Sequence, residues 1–212
     1  MTAATSPATG RVLAVCAGRV APLAVGAPGV AGERELVASA IDKRALSRLE
    51  DARAVPVAAM GIEGDEQADR TVHGGLDQAV YVYPHEHYAF WRTVRSQAKV
   101  DGALEPGAMG ENLLVEGLLE PAVFVGDRLV IGEVELRVER PRSPCFKFNA
   151  RMGFGQAVKL MVQSGYTGFY CSVVRQGRLA AGDSVLVRPG ERVVSIEQAH
   201  RLQHRSRREP FS

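Results

Sequence analysis

The sequence predicts a mostly β fold, a β-barrel with helical decoration and a short helical segment at its end. Three observations lead there. Many short strand-like runs are separated by Gly turns, only two or three stretches read as helix, and the two kinds do not alternate as a doubly wound sheet requires. The chain has 212 residues, 46% apolar and 24% charged, with 22 Gly and 11 Pro. That suffices for one full hydrophobic core and excludes a disordered, collagen-like or coiled-coil chain. Its 26 basic and 24 acidic residues leave a net charge of +2, which gives no bulk electrostatic case for nucleic acid. No apolar run reaches the roughly 18–20 residues of a membrane span. The start, MTAATSPATG, lacks the basic and apolar regions of a secretory signal. Three cysteines, Cys16, Cys145 and Cys171, are too few for a disulfide framework and point to a reducing cytoplasm.

Taken in order, residues 1–10 are small and polar and read as a flexible terminus. Val12 to Val20 reads as a first strand and Pro22 to Gly32 as a loop. Residues 34–50 are compatible with short strands or helix. Ala54 to Ala59 reads as a strand that Pro56 places at an edge or bulge. Residues 60–78 are an aperiodic loop crowded with Gly, Asp, Glu and His. Ala79 to Tyr83 alternates as a strand, and Pro84 opens a helix to about Ala98 whose Tyr88, Trp91 and Val94 share the core-facing side. Glu111–Val115, Arg128–Ile131 and Val134–Glu139 are strands; the last alternates apolar and charged residues and is therefore half-buried. A loop, RPRSPCFK (140–147), leads to helix over 149–164. Strands at Thr167–Val174 and Ser184–Arg188 and a short helix over 195–206 complete the chain. The organisation expected is a flexible 1–10, a barrel over 11–190 and a helical appendage over 191–212. No internal repeat is present.

Two loops carry candidate chemistry. Cys145 lies between Pro144 and Phe146, close to Arg142 and Lys147. Two prolines stiffen this loop, and nearby cations favour the thiolate, the form that attacks electrophiles and binds metal. Cys16 and Cys171 sit inside apolar strands and read as inert core residues. The second constellation runs Gly61-Ile62-Glu63-Gly64-Asp65, Asp69-Arg70, His73-Gly74-Gly75 and Asp77. Its paired glycines let the backbone approach a ligand, successive N–H groups can form an anion nest, and Arg70 and His73 add positive charge. His85 and His87 fall about 200° apart on a helix and make a poor chelate. Zinc, nucleophile-elbow and P-loop spacings are absent. The segment from His200 to Arg208 is basic and reads as a solvated helical end.

The strings GIEGDEQADRTVHGGLDQAVYVYPHEHYAFW (61–91), GENL (110–113) and VGDRLVIGEVELRVERPRSPCFK (125–147), with their spacing, resemble the MOSC domain family, named for the C-terminal part of molybdenum cofactor sulfurase. The likeness covers most of residues 11–188. It is nearest to small stand-alone bacterial members linked to detoxification of N-hydroxylated bases such as 6-hydroxylaminopurine. The resemblance implies a MOSC-like barrel and a molybdenum cofactor, in a pterin form left open, with Cys145 as protein ligand to the metal. A thiolate is a soft ligand suited to that metal. The pterin's phosphate calls for cations and N–H donors, for which Arg70, Gly74, Gly75, Arg142, Ser143 and Lys147 stand in position. His73, Asp77 and Asn112 match motif positions; His73 and Asp77 are the candidates for catalysis beside Cys145, and Asn112 for cofactor binding. The implied activity is reduction of N-hydroxylated compounds with electrons from a separate reductase, since three cysteines cannot hold a four-thiolate cluster. The alternative is a sulfur or cofactor carrier that uses Cys145 without turnover. The stand-alone members carry three helices after the barrel; this chain shows one helical stretch, a reduced appendage.

Overall fold

The computed structural model describes residues 9–26, 35–68 and 74–205. In chain order the strands are β1 (Thr9–Ala17), β2 (Ala21–Val25), β3 (Glu35–Ser39), β4 (Arg44–Arg48), β5 (Val55–Ala58), β6 (Gly61–Ile62) and β7 (Val80–Pro84). A 3-10 turn at His85–His87 leads into α1 (Tyr88–Gln97), followed by β8 (Leu113–Glu116), β9 (Arg128–Ile131) and β10 (Val134–Pro141). Then come α2 (Phe146–Met152), α3 (Ala157–Ser164), β11 (Phe169–Arg175), β12 (Gly177–Leu179), β13 (Ser184–Arg188) and α4 (Ile196–Arg205).

Seven strands close on themselves in the order β1, β13, β9, β10, β11, β7, β8 and back to β1, with β4 added to the free length of β1. Closure removes the exposed sheet edges that would otherwise template aggregation. Every barrel pairing is antiparallel except β7–β8. Register shifts in β1, between Val12 and Ala14 and between Val15 and Cys16, add the bends a small barrel needs. The inward rows, including Val80 and Val82, Leu136 and Val138, and Phe169 and Cys171, fill the interior. A second core lies outside the wall, where Tyr81 and Tyr83 of β7 meet Trp91, Phe148, Met152 and Met161 of the three helices α1, α2 and α3. β7 is therefore buried on both faces. Ile196 at the start of α4 belongs to the barrel's own core, and its N–H donates to the Val123 carbonyl at 2.8 Å. Among the described residues no helix is long and apolar enough to cross a membrane.

Several expected boundaries change. The flexible terminus overlaps the barrel at Thr9 and Gly10, which pair with Leu186 and Val185; residues 1–8 lie outside the described residues. The first strand stops at Ala17, not Val20. The expected loop from Pro22 is a strand as far as Val25, paired with β3 from Ala21↔Ser39 to Val25↔Glu35. This ribbon has open edges, where the missing N–H of Pro22 breaks no ladder; residues 27–34 lie outside the described residues. Pro56 is in the middle strand of a three-stranded sheet, not at its edge. It is tolerated because β6 pairs only with Val57 and Ala58, while the Pro56 carbonyl accepts from Glu63 N–H at 2.9 Å. Pro84 ends β7 in an extended conformation rather than starting the helix. The helix over 149–164 is two helices, broken where Gly153 adopts φ +81° and caps α2, the left-handed conformation that ends helices. α2 also begins earlier, at Phe146, so that only Arg142 to Cys145 separate it from β10.

Candidate functional site

A cleft opens beside β7 and β11, outside the barrel wall. It is lined by Tyr81 and Tyr170 from the wall and by Arg142, Ser143, Cys145 and Lys147 from the β10–α2 junction. Ile41 and Lys43 between β3 and β4, Asp65 to Ala68 after β6, and Gly110 and Asn112 before β8 also line it. The β10–α2 junction is short and contains Pro141 and Pro144, so its side chains have little freedom to leave. Cys145 takes the N-cap position of α2 in an extended conformation and is half-buried with a free thiol. Cys16 and Cys171 are fully buried, and burial pushes both thiols up, away from the reactive thiolate.

Arg142 is almost fully buried. Its Nη1 donates to the Met109 carbonyl and, at 3.3 Å, to the Tyr81 hydroxyl. The guanidinium lies over the rings of Tyr81 at 4.8 Å and Phe148 at 5.0 Å, where cation–π attraction offsets part of the desolvation cost. Burial opposes its charge; the surrounding Tyr81, Tyr170 and Cys145 groups outweigh that and hold it a cation. Burial, in turn, pushes the hydroxyls of Tyr81 and Tyr170 up. Lys147 is anchored at the cleft rim, where Nζ donates to the Ala38 carbonyl at 2.9 Å. Ser143 reaches Gln203 of α4 at 3.4 Å.

Asn112 ties the cleft floor together. Its Oδ1 accepts from Tyr81 N–H at 3.0 Å, and its Nδ2 donates to the Cys16 carbonyl at 3.2 Å and to Asp65 Oδ2 at 2.8 Å. The same Asp65 oxygen holds Lys43 Nζ at 2.5 Å, while Oδ1 accepts from Gly18 N–H at 2.8 Å. Burial lowers the proton affinity of Lys43, and Asp65 opposes that shift. Glu111, next in sequence, faces the other way. Its carboxylate takes the N–H groups of Gly107 and Met109 and the hydroxyl of Tyr88, bracing the turn that carries Gly110 and Asn112. Burial raises its proton affinity despite these donors.

Cys145, Arg142, Ser143, Lys147 and Asn112 thus line one cleft. Gly74 and Gly75 sit one layer behind it: Gln78 Nε2 donates to the Gly74 carbonyl, and Gly75 N–H donates to Gln67 Oε1, each at 2.9 Å. Gly75 has φ +101°, which only glycine adopts freely. Asp77 stands outside the cleft lining, exposed, with Arg140 at 3.5 Å. Arg70 and His73 lie outside the described residues. His87 is buried against Glu120 at 2.8 Å and stacks on Tyr166, while His85 stacks on Tyr88, so these two histidines point apart. Sequence reasoning missed Lys43, Tyr81 and Tyr170. The strand AVYVY marked Tyr81 only as a wall residue, and nothing local distinguishes Lys43 from any other lysine.

Residues 69–186 match the MOSC domain family. The uncharacterized protein YflK of Bacillus subtilis is 42% identical over 143 residues, 67% of this chain and 62% of that protein. Protein YiiM of Escherichia coli is 42% identical over 123 residues, 58% of this chain and 54% of that protein. A protein of Gibberella moniliformis named Reductase is 35% identical over 189 residues, 88% of this chain and 31% of that protein. In each case the matched region spans less than two thirds of the relative's length. Among solved structures, YiiM from Geobacillus stearothermophilus superposes with a TM-score of 0.68 at 25% identity, over 94% of this chain and 86% of that one. YiiM from Escherichia coli does so with 0.63 at 27%, over 92% and 80%.

Proposed function

The chain belongs to the MOSC domain family, and on that premise we propose that it binds a molybdenum cofactor and reduces N-hydroxylated compounds with electrons from a separate reductase. The observation that carries this reading is Cys145, a half-buried thiol at the cleft beside a buried guanidinium. The donor set fits the group. A soft sulfur suits the metal, and Arg142, Lys147, Ser143 and Asn112 offer cationic and neutral donors to an anionic pterin tail. From the motif, Arg70 is proposed to extend that set and His73 and Asp77 to complete the catalytic group, with the Gly74–Gly75 turn backing the cleft through Gln67 and Gln78. When bound, the cofactor supplies two-electron chemistry at its metal.

The chain's own residues do the rest. Cys145 would hold the metal from the α2 N-cap. Arg142 is fixed by Met109 and Tyr81 and offers its charge without giving up a proton. Tyr81 and Tyr170 wall the cleft with rings against which a planar base can lie. The net reaction turns R–NHOH, two electrons and two protons into R–NH2 and water. The electrons come from a reductase partner, a reading supported by a relative named Reductase that is about three times as long as the matched part. The three free cysteines suit a cytoplasmic setting.

The test is molybdenum and pterin content per chain after expression in a cofactor-competent host, with Cys145→Ala alongside. Near one of each in the wild type, with metal lost in the variant, is the expected result. Neither group in either protein, from a host shown to supply both, overturns the proposal and favours a carrier that works through sulfur on Cys145.

A further inference from the structure

The lysine at the cleft floor is held more tightly than a salt bridge requires. The segment Ile41–Lys43 runs between two glycines. A Cβ on Gly18 would lie 2.4 Å from the Asp42 carbonyl oxygen, and one on Gly107, at φ +93°, would lie 2.4 Å from the Lys43 carbonyl oxygen. No other residue fits either place without moving this backbone. At the other end of the side chain, Asp65 receives Lys43 while being held itself by Gly18 and Asn112. Lys43 lines the cleft and is 9% exposed. An ammonium has three N–H donors; among the described residues Asp65 is its hydrogen-bond partner, which leaves donors for a molecule in the cleft.

We propose that Lys43, clamped between Gly18 and Gly107 and oriented by Asp65, is the proton donor to the oxygen that leaves the substrate; this rests on the reductase reading above. R–NHOH takes two electrons from the reductase. The N–O bond breaks, the Lys43 ammonium protonates the departing oxygen to give water, a solvent proton goes to nitrogen, and solvent reprotonates the amine. Arg142, Tyr81 and Tyr170 in the same cleft serve less well. Arg142 does not release a proton, and burial makes the Tyr81 and Tyr170 hydroxyls poorer acids. Lys43 faces Asp65, Cys16 and Glu111, which favour its charge, against burial, which disfavours it and prevails. That balance eases proton release.

The test uses cofactor-loaded protein, an artificial electron donor and two substrates: a hydroxylaminopurine, whose leaving oxygen needs a proton, and its O-acetyl derivative, whose leaving acetate does not. Lys43→Arg keeps the cation and its pairing with Asp65 but does not donate a proton. We expect it to keep wild-type metal and pterin content, to lose about 100-fold in kcat on the hydroxylamine, and to recover to near the wild-type rate on the O-acetyl compound. Should it misfold, the Lys43→Met, Asp65→Asn pair removes both charges and takes the same comparison. Equal loss on both substrates, no loss on either, or pterin lost with the lysine would overturn the assignment while leaving the reductase reading in place. A fully loaded wild type that reduces neither substrate brings down that reading and this one together. Independently of turnover, NMR titration of lysine-labelled chain without cofactor should find the Lys43 ammonium below the ordinary lysine value of about 10.4; an ordinary value refutes the proposal.

Discussion

The two faces of β7 are both buried and are built from different chemistry. Inward, Val80 and Val82 join the aliphatic rows, with Phe169 and Cys171 beside them. Outward, Tyr81 and Tyr83 meet a layer that also holds Glu111, Arg142 and Trp91, joined by the hydrogen bonds Trp91–Tyr83, Arg142–Tyr81 and Tyr88–Glu111. The inner face needs only shape and volume. The outer face must satisfy every donor and acceptor it removes from water, which fixes side-chain positions closely. A cleft with stationary walls therefore forms on the outer face, while the inner face holds the barrel shut.

Substitutions on each face should separate these roles. The largest effect is expected inside: Phe169→Ala should cost about 3–5 kcal/mol, read from the urea midpoint, while the surviving folded fraction keeps its metal content per chain. Loss of metal from that folded fraction would mean that the faces are not independent. Next comes Glu111→Gln on the outer face, which turns an amide toward Met109 N–H and should cost about 1–3 kcal/mol. It should also change the pH response. Burial raises the folded-state proton affinity of Glu111, so its stabilising contribution is full below the unfolded value of about 4.3 and is lost as pH rises through the folded value. The gap between wild type and variant should therefore narrow from pH 5 to pH 8; a gap that widens contradicts the assignment. Tyr83→Phe, which strips Trp91 Nε1 of its acceptor at 2.6 Å, should cost about 1 kcal/mol by the same denaturation curve. The smallest stability change belongs to Cys145→Ala, within about 0.5 kcal/mol, although the proposed function assigns it the greatest loss of metal.

The same contrast decides what the sequence could disclose. Arg128–Ile131 and Ser184–Arg188 were legible to the residue, because alternation with flanking turns is a local signal of an amphipathic wall. The RPRSPCFK and HGG strings marked two loops, and the first of them lines the cleft. The ribbon β2–β3 was not legible: Pro22 argues locally for a loop, and only pairing with Glu35–Ser39 makes a strand of it. Lys43 was silent for a similar reason. Its setting is made by Gly18, Asp65 and Gly107, which approach it only through the tertiary fold. Asp65 stood within the singled-out GIEGD string, but a string of letters does not say which cation it will meet.

The pairing of β1 with β13 has a consequence in time. Arg11 is made long before its partner Ser184; at about 5–20 residues per second the interval is roughly nine to thirty-five seconds. Until then the apolar strand TGRVLAVCA has one side unmet and the nascent sheet an open seam, the kind of edge that recruits neighbouring chains. Release of a chain ending before Val187 should thus yield aggregate rather than a smaller barrel, and the yield of folded protein in the cell should depend on what shields that first strand while the last is still being synthesised.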